Sequence, residues 1–83
     1  MVKVSALTKV LDQCVGKDQY SITWWGDHRI KVVIRGRPYP RLPSGAHGKN
    51  DPEIENSHIR NFLRFFESEI KADCWKPLLP QLG

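Results

Sequence analysis

Residues 19–42 read QYSITWWGDHRIKVVIRGRPYPRL. Tyr20, Ile22 and Trp24 alternate with Ser21, Thr23 and Trp25, and Ile30, Val32 and Ile34 alternate with Arg29, Lys31, Val33 and Arg35. A period of two is the mark of a strand with one buried face. The reading is a strand over Gln19–Trp25, a Gly26-Asp27 turn, and a second strand over His28–Arg35. Gly36-Arg37-Pro38 turns the chain again into a short third strand, Tyr39–Leu42. Pro38 and Pro40 lack an N–H, so that strand belongs at an edge or is irregular.

Two helical stretches flank this unit. Before it, Val4–Val15 carries Leu7, Val10, Leu11 and Cys14 on one stripe, with Ser5 as N-cap and Gly16 as C-cap. After it, Asn56–Ala72 carries Ile59, Phe62, Leu63, Phe66 and Ile70, with Asn56 or Ser57 as cap. Between them, residues 43–55 form a long loop, and residues 73–83 a tail that packs on the domain or on a partner. The expected fold is α+β, order α-β-β-β-α: a three-stranded antiparallel sheet with two helices packed on one face.

The chain has 83 residues, room for a single domain over 1–83. A domain this small needs its apolar segments for its own core. A deep private cavity for a small metabolite is therefore disfavoured, and a shallow site for a polymer or a protein is favoured. No stretch approaches the roughly 18 apolar residues of a membrane span, and the N-terminus lacks a signal-peptide core. Cys14 and Cys74 have no CxxC spacing, so the reading is buried free thiols in a reducing cytoplasm; a disulfide or a zinc site is the alternative.

Net charge is +4, and its placement matters more than its sum. From His28 to Asn50 the chain holds Arg29, Lys31, Arg35, Arg37, Arg41 and Lys49 and no Asp or Glu. The remaining residues hold seven basic and nine acidic side chains. An unbroken run of one sign attracts phosphate; the competing reading is a solvated strand whose cations discourage edge pairing. Alternation sends Arg29, Lys31 and Arg35 to the open face of the sheet. Trp24 and Trp25 point to opposite faces, one to the core and one to a base or a partner. A stacked base is worth roughly 1–3 kcal/mol.

His28 is the sharpest chemical feature. Imidazole exchanges protons near neutral pH, and RNA supplies its own nucleophile in the 2′-hydroxyl. Neighbouring cations can stabilise the charge that builds on phosphorus. Such a reaction calls for no metal and no cofactor, and three scattered histidines do not make a metal site. His47, in the long loop, is a candidate partner for His28; His58, at the start of the second helix, is read as exposed and without a role. No phosphate-binding Gly-rich loop and no Ser/His/Asp pattern is present.

Three segments together resemble the HicA family of toxins, small RNA-cleaving proteins of bacterial toxin–antitoxin pairs. VKVSALTKVLDQCV looks like the family's first helix, GDHRIKVVIRGR is similar to its Gly-x-His turn and central strands, and IENSHIRNFLRFF resembles its closing helix. The resemblance spans roughly Val2 to Phe66. It implies a double-stranded-RNA-binding-like fold, a catalytic role for His28, and a HicB-like antitoxin that covers the active face. Where the family commonly has Ser before the histidine, this chain has Asp27, an acid placed to orient His28. The 43–55 loop and the tail are additions to the pattern. The expected function is thus a cytoplasmic, metal-independent ribonuclease, with His28 catalytic and Trp25, Arg29, Lys31, Arg35, Arg37, Arg41 and Lys49 holding RNA. The alternative is a non-catalytic nucleic-acid-binding or protein-interaction module on the same fold, phage- or plasmid-encoded.

Overall fold

Three antiparallel strands form the centre of the computed structural model, which describes residues 1–46 and 50–82. A two-residue strand β1 (Val2–Lys3) leads into helix α1 (Val4–Cys14). Then come β2 (Tyr20–Trp24), β3 (Arg29–Ile34) and β4 (Arg37–Pro43), hydrogen-bonded in that order. A short β5 (Glu53–Ile54), α2 (Asn56–Phe65) and a single-turn α3 (Ala72–Trp75) complete the chain.

The register carries the alternation across the sheet. Tyr20 faces Ile34, Ile22 faces Val32 and Trp24 faces Ile30, so one inward row runs through both strands. Ile30, Val32 and Ile34 are fully buried; Ser21, Thr23 and Lys31 on the reverse side are exposed. Leu7, Val10 and Leu11 of α1 and Ile59, Phe62 and Leu63 of α2 close over the inward row in one core. The fold is α+β, with both helices contributing to one side of the three-stranded sheet.

The β3–β4 turn differs from expectation by one residue, with consequences. It consists of Arg35 (φ 50°) and Gly36 (φ 80°), both left-handed, flanked by the pair Ile34–Arg37. Two left-handed residues match the twist of a tight hairpin, and glycine takes the second place without a Cβ penalty. The turn therefore ends before Arg37, which becomes the first residue of β4. As expected of its prolines, β4 is an edge strand, and its register shifts opposite Lys31.

The start of α1 is capped from a distance. Ser5 is not the cap: its N–H donates to Asp51 Oδ1 (3.0 Å) and its hydroxyl to Asp51 Oδ2 (2.6 Å). A carboxylate here meets the positive end of the helix dipole. These hydrogen bonds, the hydroxyl's foremost, hold the Asp51 carboxyl below its ordinary value, with Lys3 adding to the effect. The support from Asp51 is accordingly present above the ordinary aspartate range and lost as pH falls through the lowered value. Val4 N–H donates to the Pro52 carbonyl (2.9 Å), and β1 pairs with β5 through Val2–Ile54 and Lys3–Glu53. Much of the expected loop is thus fastened to the N-terminus.

Helix α2 stops at Phe65, seven residues short of the expected Ala72. Turns replace it, with Ile70 N–H donating to the Phe66 carbonyl (2.7 Å). Phe66 and Ile70 remain buried, so the apolar spacing continues through the break. The tail packs on the domain: Leu79 is fully buried and Leu82 nearly so. Cys14 and Cys74, half-buried, are joined in a disulfide (Cα–Cα 5.8 Å), which corrects the expectation of separate free thiols. The pairing follows from the docking of α3 on α1, a tertiary contact 60 residues apart in sequence. No helix among the described residues is long and apolar enough to cross a membrane.

Tyr20 locks β2 to α1, its hydroxyl donating to the Asp12 carboxylate. Burial first, then this hydrogen bond and the Asp12 charge, push the phenol up to about 12. A raised phenol stabilises the fold fully below the unfolded value near about 10 and loses that contribution as pH rises through about 12. An ultraviolet absorbance titration is expected to show a late phenol step that Asp12→Asn moves to lower pH. A late step unmoved by the substitution would remove Asp12 from its cause.

Candidate nucleic-acid interface

The face of the sheet away from the helices carries Ser21 and Thr23 on β2 and Arg29, Lys31 and Val33 on β3. Arg29 and Lys31 are two residues apart on one strand, so about 6–7 Å separates them along it. The register shift in β4 sets Pro40 and Arg41 together across from Lys31. Arg41 is exposed and precedes the inward Leu42, which brings it to the same face. Three cations from two strands thus share the open face.

Trp25 borders them. Its backbone N–H donates to the Arg29 carbonyl (2.9 Å), prolonging the β2–β3 ladder by one rung. Since Trp24 turns inward against the core, Trp25 turns outward, and it is 56% exposed. The Lys31 ammonium lies 6.0 Å from the centre of the Trp25 ring. An exposed indole flanked by cations has the parts for stacking a base and neutralising the phosphate next to it.

His28 stands in the bend between β2 and β3, one residue before Arg29. Gly26, at φ 82°, turns the chain back, and Asp27 and His28 lead into β3. The His28 carbonyl accepts from Ser44 N–H (2.9 Å), tying the loop to the end of β4. The backbone is therefore held while the imidazole is exposed. Among the described residues no hydrogen bond or ion pair engages the ring. Asp27, expected to orient it, makes no such contact with it either.

The other expected residues divide. Arg35 is exposed in the β3–β4 turn, at the far end of β3 from His28, about 20 Å along a six-residue strand. Arg37 is not on the open face. It forms an ion pair with Glu69 (3.2 Å), and its guanidinium stacks 4.3 Å from the centre of Phe65. The cause is the turn register: with Arg35-Gly36 as the turn, Arg37 pairs with inward-facing Ile34, and a one-residue offset changes the face of a strand side chain. Lys49 and His47 lie outside the described residues.

His58, given no role from sequence, is half-buried and lines a groove of about 460 Å³ with Pro43, Ser44, Asp51, Glu53 and Glu55. The groove is acidic and so unsuited to phosphate. Only the folding of 50–55 against the N-terminus creates it, and no local pattern signals that. Among the described residues no group of three His, Cys, Asp or Glu side chains is placed to hold a metal ion. The open face joins an exposed indole to three exposed cations, and an exposed imidazole lies in the bend beside it. The chain matches no family model, no curated protein and no solved structure.

Proposed function

We propose that this chain is a HicA-like toxin of a toxin–antitoxin pair, a ribonuclease that takes RNA on its open sheet face and uses His28 as general acid/base. The observation that carries the reading is an exposed Trp25 with Lys31 6.0 Å from its ring, and an exposed His28 in the adjoining bend, next to Arg29 in sequence. RNA lies along the face with its phosphates on Arg29, Lys31 and Arg41 and a base on Trp25. Arg35 extends the track toward the hairpin tip. His28 removes the 2′-hydroxyl proton, and the 2′-oxygen attacks the adjacent phosphorus. The P–O5′ bond breaks, and the 5′-oxygen leaves with a proton returned from the imidazolium or water. The products are a 2′,3′-cyclic phosphate and a 5′-hydroxyl end. The cations stabilise the charge that grows on the phosphoryl oxygens.

The same face is the surface a HicB-like antitoxin would cover. The proposed site of action is the cytoplasm, where messenger RNA is. There the Cys14–Cys74 bridge meets a reducing poise. The observation favouring a non-catalytic nucleic-acid-binding module is that no described side chain orients the His28 ring. Induced expression separates the two: the ribonuclease arrests growth and fragments messenger RNA, whereas intact messages and unchanged growth would reject it.

A further inference from the structure

A second cationic surface lies on the helical layer. Arg60, Arg64, Glu67 and Lys71 follow one another at i, i+4, i+7 and i+11 along the flank of α2 and the turns after it. They rim a groove of about 660 Å³ whose floor is Leu63, Ile70, Trp75 and Leu82. Among the described residues the only ion pair is Arg37–Glu69, so neither arginine nor Lys71 is neutralised. Two like charges at i, i+4 disfavour a helix. The pair stands beside an apolar floor.

We propose that this groove docks an acidic, amphipathic segment of a partner protein, apolar side chains in the groove and carboxylates on Arg60, Arg64 and Lys71. The charge balance of the rim, three cations to one anion, selects an acidic occupant. The floor selects a peptide over a lipid surface: Leu63, Ile70 and Leu82 are 3%, 1% and 9% exposed and Trp75 is half-buried, so a side chain must come to them. A nucleic-acid strand would meet Glu67 on the rim and a floor that is aliphatic apart from the half-buried Trp75. The far wall is preformed, because Cys74, between the lining residues Ala72 and Trp75, is bonded to Cys14 of α1. A wall already in place lowers the ordering cost of binding. The inference is independent of the ribonuclease reading, which uses the opposite side of the sheet.

The test is fluorescence anisotropy of the oxidised chain with a labelled helix-forming peptide bearing Leu and Phe on one face and Glu on the other. Wild type is expected to bind it in a salt-sensitive way, and R60E/R64E to bind at least about tenfold more weakly. Trp75→Ala is expected to lose a comparable amount, with circular dichroism checking the fold of each variant. A peptide with Lys in place of Glu is expected not to bind. Failure of wild type to bind, equal binding by R60E/R64E, or equal binding of the Lys peptide would overturn the proposal. So would Arg60- and Arg64-dependent binding to RNA or anionic vesicles without peptide binding.

Discussion

Replacing His28 with alanine is expected to slow RNA cleavage by about 10²–10⁴-fold, the usual contribution of a positioned acid/base, while changing RNA affinity only a few-fold. The separation follows from how His28 is built into the fold. Its structural contact is made by the backbone: the carbonyl accepts from Ser44 N–H (2.9 Å), and alanine keeps that group. The ring is exposed and makes no side-chain hydrogen bond among the described residues, so truncation opens no cavity and orphans no buried partner. Surface changes of this kind usually stay within about 0.5 kcal/mol of stability. In the proposed function affinity rests instead on Trp25, Arg29, Lys31 and Arg41. Single-turnover cleavage measured with a binding isotherm on the same RNA separates the two quantities. Cleavage at the parental rate would remove His28 from the chemistry. An affinity loss as large as the rate loss would make it a contact and not a base.

Replacing Cys14 and Cys74 together with serine is expected to lower the free energy of unfolding by about 2–4 kcal/mol. The bridge spans 60 residues, nearly the whole fold. Chain-entropy reasoning gives roughly 4 kcal/mol for a closed loop of that size. Domains of this class have only about 5–15 kcal/mol in total, so the loss is a large fraction. A shift of that size lowers Tm on the order of 10–30 °C. The loss is expected to fall first on α3 and the tail, which α1 holds through Cys14. Amide exchange at Leu79 should accelerate before exchange in β3. Urea titration of the oxidised chain beside the double variant checks the magnitude. Equal midpoints would mean that tail packing through Leu79 and Leu82 alone secures this end of the molecule. The wall that carries Trp75 should loosen in parallel.

The sheet was legible because its signal is local. Tyr20–Trp24 and Arg29–Ile34 alternate in burial, and that alternation is in the residues themselves. Period two alone sends Arg29 and Lys31 outward and the isoleucines inward. The stripe of α1 is legible for the same reason. What was not legible depends on contacts between distant segments. Arg37 changes face because the hairpin turns at Arg35-Gly36, and Gly36-Arg37-Pro38 offers an equally good turn signal. Asp51 caps α1 across 46 residues, and the local candidate Ser5 becomes a donor to it. Cys14 meets Cys74 only because the tail docks on α1. The end of α2 is hidden because Phe66 and Ile70 keep helical spacing after the helix has ended, with no Gly or Pro to mark the place. In the candidate site, Trp25, Arg29 and Lys31 follow from strand alternation, and His28 only from its place one residue before Arg29. The arrival of Arg41 beside them depends on the irregular register of β4.

The central claim is that the open face cuts RNA through the RNA's own 2′-hydroxyl. The direct measurement incubates the purified oxidised chain, in the presence of a chelator, with a labelled RNA and with the DNA oligonucleotide of the same sequence. The expected result is scission of the RNA to 2′,3′-cyclic phosphate and 5′-hydroxyl ends, with the DNA left intact. An RNA that stays whole, or a DNA cut as fast as the RNA, would contradict it.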